Sequence, residues 1–521
     1  MAQQTLLPGM DRFNRILCCR ETFLTQIVRD ALALLRFDDG AVRKSLTADI
    51  DLAAKKAKKL RMMDELWHEE ALPRFPSFAD TFEPSDFDSV PAESFSLLDG
   101  RPRVIDAEIL LVLVVADGVF SLTSADGYER LVGSEVFQAL MEGLASPARS
   151  TIGKYLGLVS EKTHELLQRT LYRMVRDEEL DGFEVLTVDS TAIEANTAWP
   201  SESALICGFL ARIHRLLGLQ ARYTLVAYKS KLVDRWLKRL ADLHRSINLL
   251  PARPGSVKER RKLYRQLLAL AEKTRKKLRE LLETRQEQIT DCCIRPTFRV
   301  RVEKMLNQIE VDFDEAEKAM TTAKKRVLKA TSTPASEKAF SLADPDAYMI
   351  VKGQRDAVIG YKPQLGRSSN GFISCFELLR GNPADSERLL PMLKTHVEMT
   401  GQCPVAVSTD DGYSSTDNLE KLIEAGIEVV SFSGAKGRGV LGDEIYDLDA
   451  SALLRCGRSA VESLIFTFKH KLNMRRFCRR GLAGVRKDLS AAVLAYNLWR
   501  MAFVRKSKRS EEEPPPTRKI A

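Results

Sequence analysis

The stretch VLTVDST (185–191) runs four apolar or β-branched residues straight into Asp189, and two hydroxyl residues follow the acid. A second such run, CPVAVSTDDGY (403–413), ends on Asp410 and Asp411 before Gly412. Asp at a strand end has an ordinary role, folding back on its own backbone as a turn. Two strands of one sheet that both end on acids can instead set carboxylates side by side, where they repel and raise each other's pKa. A divalent cation relieves that repulsion, and carboxylate oxygens are the ligands Mg2+ prefers.

A third acid, Glu462, stands in RSAVESLIFTFKHKLNMRR (458–476), with Arg458 four residues before it and Lys469 seven after. On a helix that spacing puts base, acid and base on one face. A surface Arg–Glu pair alone contributes only a few tenths of a kcal/mol. Ile465 and Phe466 continue the face, however, which predicts that it is not simply solvent-facing, and Arg476 reads as two helical turns further along it.

The elements that must position these acids can be read from periodicity. Residues 183–191, 403–413 and 427–432 read as strands, and AYMIVKG, DAVIGYKPQLG and GFISCFELLRG (within 347–381) as an antiparallel meander. Residues 1–180 read mostly as helix, with a linker-like, Pro- and Ser-rich stretch at 70–105. SPARSTIGKYLGLVSEKTHELLQRTL (146–171) has the outline of a helix-turn-helix, although short helix pairs are common structural units. From 206 to about 330 the pattern is helical. Val233, Trp236, Leu240, Leu243, Ile247 and Leu250 form a heptad seam, which predicts an antiparallel hairpin plus a third helix. A long helical region is expected over 458–505, and EEEPPP (511–516) lacks the apolar content to pack.

With 44% hydrophobic and 29% charged residues the composition is globular, and 521 residues are too many for one ordinary core. The most apolar run, ILLVLVV (109–115), is far too short to span a bilayer, so no membrane partner is expected. Nine cysteines and six histidines complete neither a disulfide framework nor a zinc pattern, which predicts reduced thiols in a cytosolic compartment. The net charge of +9 is unevenly spread. Residues 229–280 hold 17 Lys/Arg against 5 Asp/Glu, and residues 469–509 hold 13 against one, so each is a net +12 on an otherwise acidic chain. Either segment alone reads as a solvated helix face; together they read as a footprint for a polyanion.

In order and context the three motifs resemble the DDE transposases of bacterial insertion sequences. VDST matches that family's first acid with Asp189, and DDGY its second with Asp410 and Tyr413. Arg458, Glu462 and Lys469 match the third motif of a branch that spaces Tyr, Arg, Glu and Lys, although Arg455 stands at the tyrosine position. The resemblance implies an α/β (mixed) fold: a ribonuclease H-like catalytic core at 181–205 and 340–505, a helical insertion at 206–339, an N-terminal helical domain at 1–180 that binds DNA ends, and a disordered tail at 506–521. It implies Asp189, Asp410 and Glu462 as ligands of two Mg2+ ions, with Mn2+ as a substitute. Arg458, Lys469 and Arg476 would hold DNA near the cut, and Lys273, Arg275, Lys276 and Lys277 would hold it on the insertion. The expected partners are double-stranded DNA, at transposon ends and target, and further copies of the chain in a synaptic complex, in a bacterial cytoplasm close to the nucleoid. The alternatives are a nuclease on the same fold and a domesticated DNA-binding protein that no longer cuts.

Overall fold

The computed structural model describes residues 16, 19, 20, 22–66, 105–199, 201–224, 228–251, 253–290, 296–351 and 357–512. Nearly all of the linker expected at 70–105 lies outside them. The chain forms two compact units, Met1–Asp51 with Pro102–Asn196 and Asp346–Ala521, and Leu52–Arg101 with Thr197–Pro345.

The first unit carries the acids. Among the described residues it forms eight strands, counting those of a small second sheet: β1 Val185–Ser190, β2 Ile193–Glu194, β3 Tyr348–Ile350, β4 Val358–Tyr361, β5 Gln364–Arg367, β6 Ile373–Glu377, β7 Ala406–Thr409 and β8 Val429–Phe432. Five of them make a mixed sheet in the order β6-β5-β1-β7-β8, in which β1, β7 and β8 run parallel and β5 and β6 pair antiparallel. The expected meander is therefore split. β3 and β4 join β2 in a separate three-stranded sheet, while β5 and β6 extend the main one. Pro363 sits between β4 and β5, where its fixed φ and missing N–H oppose a continuous ladder. Leu186, Val188, Met392, Val407, Tyr413 and Phe432 belong to a buried cluster formed by this sheet and its helices.

Helices Phe23–Leu34, Ala107–Phe120, Glu161–Asp177 and Leu482–Glu512 belong to the same unit. ILLVLVV lies in the Ala107–Phe120 helix, which is buried almost throughout, as a helix apolar on every side must be. Its Asp106 cap accepts from the Ile109 N–H at 3.0 Å. Gly118 on this helix allows close approach to the C-terminal helix, since a Cβ there would strike the Ala491 carbonyl. The helix-turn-helix outline corresponds to helices Arg149–Leu158 and Glu161–Asp177, joined through Val159 and the capping Ser160. The helical region expected at 458–505 is broken in two, Ser459–Lys471 and Leu482–Glu512. Asn473 and Gly481 take left-handed backbone in the break, conformations that end helices, and Met474 and Phe477 are buried within it. The C-terminal helix continues to Glu512, so 506–512 is helical rather than a tail, and 513–521 lies outside the described residues.

In the second unit, where a hairpin and a third helix were expected over 206–330, the described residues from 201 on form four long helices: Glu202–Gln220, Lys231–Leu249, Val257–Thr290 and Pro296–Ala323. Ser201 and Ser230 cap the first two through the Ala204 and Val233 N–H groups. Val233, Leu240, Leu243 and Ile247 are buried as the heptad spacing predicts, while Trp236 is only half-buried. Asp312, with no exposed surface, is held by Arg212.

Candidate active site

The parallel register of β1 and β7 pairs Val188 with Thr409. Asp189 and Asp410 are the next residues on their strands, so they stand at the same end of two neighbouring strands. Asp189 is buried, and its Oδ1 accepts from the Ser190 N–H at 2.6 Å. Asp410 heads a single 3-10 turn, Asp411–Tyr413, and its Oδ1 accepts from the Gly412 N–H at 3.0 Å. Tyr413 is fully buried below the turn and donates its hydroxyl to Gln364 Oε1. Burial, then the charges of Asp385, Asp189 and Asp410, push the Tyr413 pKa far up, so the hydroxyl stays protonated.

The choice between Asp410 and Asp411 left open by the residues gains a physical argument. Asp411 Oδ1 accepts from the Gly437 N–H at 2.7 Å, at the start of helix Gly434–Leu441, whose own Ser433 makes no side-chain cap bond. Asp411 thus satisfies a helix N-terminus.

Glu462 lies on helix Ser459–Lys471, which buries Val461, Leu464 and Phe468. Its own side chain is 63% exposed and pairs with Arg458 at 3.2 Å. Phe466 is 61% exposed and Ile465 half-buried, so this face is more open than its apolar residues predict. Phe466 stacks instead on His470, with ring centroids 4.1 Å apart. Among the described residues no group of three or more His, Cys, Asp or Glu side chains is placed to hold a metal ion. Asp189 and Asp410 are an oxygen donor pair that fits a hard divalent cation, and Glu462, as placed, is engaged by Arg458.

The cations near the acids grip backbone. Lys469 Nζ donates to the Ala192 carbonyl at 2.7 Å, three residues beyond Asp189. Arg476 is not on the Glu462 face, because the helix ends before it. Its Nε donates to the Ala195 carbonyl at 3.0 Å, its backbone bridges to Glu194, and Arg480 Nε reaches the Asn196 carbonyl at 3.2 Å. Arg455, at the family's tyrosine position, lies 3.8 Å over the Tyr446 ring and donates to the Tyr446 carbonyl at 2.6 Å. In the helical unit Lys273 is exposed, but Arg275 pairs with Glu272 and Glu317, Lys276 with Glu272, and Lys277 with Glu280. Arg261 is half-buried and donates to the Val327 carbonyl.

Sequence reading missed Asp385, Lys362 and Gln364. Asp385 Oδ1 receives Lys362 Nζ at 2.9 Å and Gln364 Nε2 at 2.8 Å. The ladder opposes Gln364 to Ser190, the residue after Asp189. The one local signal was Asp385 in GNPADSER, where turn residues precede a helix, and that pattern carries no hint of a partner at Lys362.

No curated protein and no solved structure gives a significant match to the chain. Residues 328–498, about a third of the chain and including Asp385, Asp410 and Glu462 but not Asp189, match the family model of the transposase DDE domain, and this match supports a DDE transposase.

Proposed function

We propose that the chain is a DDE transposase that cuts DNA at the ends of an insertion sequence and joins the freed 3′ end to target DNA. The observation that carries the reading is the parallel pairing of β1 with β7, which sets Asp189 and Asp410 at the same end of two neighbouring strands. The mixed sheet around them, with the first strand at its centre, supports a ribonuclease H-like core. Asp189, Asp410 and Glu462 are the proposed ligands, and Glu462 would exchange its Arg458 pairing for the metal. Bound Mg2+, or Mn2+ in its place, would activate water and stabilise the leaving 3′ oxygen at the scissile phosphate. Lys469, Arg458, Arg476 and Arg480 would hold the backbone of double-stranded DNA beside the cut, contacts that position without reading sequence. End recognition is assigned to the N-terminal helices, including the Arg149–Leu158 and Glu161–Asp177 pair, and a synaptic complex would contain at least two copies of the chain.

Cleavage of DNA carrying the element's ends, and joining of a pre-cut end, should both require a divalent cation. Asp189→Asn, Asp410→Asn and Glu462→Gln should each retain DNA binding and lose both steps, because an amide is a poor ligand for a hard cation. Cutting without joining would favour the nuclease alternative. Binding without either step in the unmodified protein would favour the domesticated DNA-binding protein. A Glu462→Gln variant that cuts at the unaltered rate would remove Glu462 from the site.

A further inference from the structure

A further carboxylate, Asp385, stands beside the Asp410 turn, and its surroundings hold it in place. Lys362 is 91% buried, leaving 9% of its side chain exposed; its Nζ pairs with Asp385 Oδ1 at 2.9 Å and donates to the Pro383 carbonyl at 3.2 Å. Gln364 donates to the same Oδ1 at 2.8 Å while accepting from the buried Tyr413 hydroxyl. One hydrogen bond and one ion pair thus hold Oδ1, while Oδ2 faces the Asp410 turn. A Cβ built on Gly412 would lie 3.2 Å from Asp410 Oδ1 and 3.5 Å from Asp385 Oδ2, so both oxygens border the small space that glycine leaves open. The chain of contacts runs from Lys362 through Asp385 and Gln364 to Tyr413, and it links the residue after β4, the start of β5 and the turn after β7.

A buried lysine salt bridge is weak evidence for stability, because desolvating both charges offsets most of their attraction. Holding a carboxylate at a fixed angle next to a metal ligand is a use that justifies it. Carboxylates one layer out from a metal orient the ligands and accept from bound water. Resting on the metal-dependent reading above, we infer that Asp385 is a positioning carboxylate on the Asp410 side of the site. Lys362 and Gln364 lock it, and its Oδ2 accepts a hydrogen bond from water on a divalent cation held by Asp410. Asp385 touches neither substrate nor the reacting phosphate in this role.

The test is Mn2+ binding to the full-length protein, followed by electron paramagnetic resonance of the free ion, beside urea unfolding in EDTA and DNA binding in EDTA. Asp385→Asn keeps an oxygen for Lys362 and Gln364 but loses the charge. It should weaken Mn2+ binding by about 10- to 100-fold and leave DNA binding in EDTA unchanged, while the urea midpoint in EDTA falls because Lys362 loses its charged partner. Asp385→Glu keeps the charge and moves the second oxygen, and a smaller loss is expected; it also serves if the Asn variant fails to fold. Wild-type Mn2+ affinity in a folded variant of either kind would overturn the inference, as would an equal loss of DNA binding in EDTA by the folded variant. Asp189→Asn separates the two readings: if it abolishes Mn2+ binding while the Asp385 variants do not weaken it, only the role of Asp385 falls. If the unmodified protein binds no Mn2+, the metal-dependent reading fails and takes this inference with it.

Discussion

Two histidines of the first unit are buried in a way that ties stability to pH. Burial first, then the charges of Lys487 and Arg479, depress the His164 pKa to about 3. Burial depresses His396 to about 4, although it bonds Ser374 and the Phe183 carbonyl. A histidine depressed in the fold resists the proton that the unfolded chain accepts near pH 6.5. Its contribution is therefore complete above about pH 6.5 and is lost as the pH falls towards the folded value. For His164 the loss between pH 7 and pH 5 is on the order of 2 kcal/mol. Asp488, pushed up to about 6 by burial against the opposing pull of Arg479, acts in the other sense, stabilising as the pH falls through that value. Comparing His164→Gln with the unmodified protein isolates the histidine. The variant should lose less stability between pH 7 and pH 5 in urea unfolding, and equal losses would show that His164 takes up its proton in the fold.

At the scale of elements, the Asp410 turn depends on the helix that follows β8. Asp411 caps helix Gly434–Leu441, and Gly434 has φ +92°, where a side chain is strained. A Cβ on Gly434 would also lie 2.6 Å from the Asp411 carboxylate carbon. Gly434→Ala should cost about 1–3 kcal/mol from the backbone alone, with a further cost from displacing Asp411. Because Asp411 adjoins Asp410, cutting should fall along with stability. A variant as stable and as active as the unmodified chain would show that neither the turn nor the cap is constrained there. The same scale explains the Arg476 correction. An unbroken helix would have carried it along the Glu462 face, but the Asn473 break turns it towards the backbone after β2.

For the molecule as a whole, the two basic segments are not equivalent. In the helical unit Arg275, Lys276 and Lys277 are matched by Glu272, Glu317 and Glu280, whereas Lys469, Arg476 and Arg480 reach the carbonyls of Ala192, Ala195 and Asn196, the segment that follows Asp189. Each phosphate contact contributes about 0.9 to the slope of log affinity against log salt. Neutralising Lys469, Arg476 and Arg480 together should reduce that slope by about 2–3. Neutralising Arg275 and Lys277 should change it by less than one contact's worth. Salt titration of binding to a duplex of arbitrary sequence measures both. A larger change from the Arg275 and Lys277 variant would move the main DNA surface to the helical unit. No helix among the described residues is long and apolar enough to cross a membrane, which agrees with the short apolar run at 109–115.

Local pattern carried much of this reading. A strand running into Asp189, another into Asp410, the buried positions of the 233–247 seam and the apolar Ala107–Phe120 helix all follow from side-chain period and residue type, which neighbours in the chain determine. Tertiary structure decided the rest, because it depends on which distant segments share hydrogen bonds. The β1–β7 ladder makes neighbours of two acids far apart in the chain, and Pro363 helps divide an apparent meander between two sheets. Asp410 and Asp411 are alike in sequence, yet the helix start at Gly437 takes one and the sheet edge keeps the other. Asp385 and Lys362 lie on segments that no periodicity relates, and only the folded chain turns them into a buried pair beside Asp410.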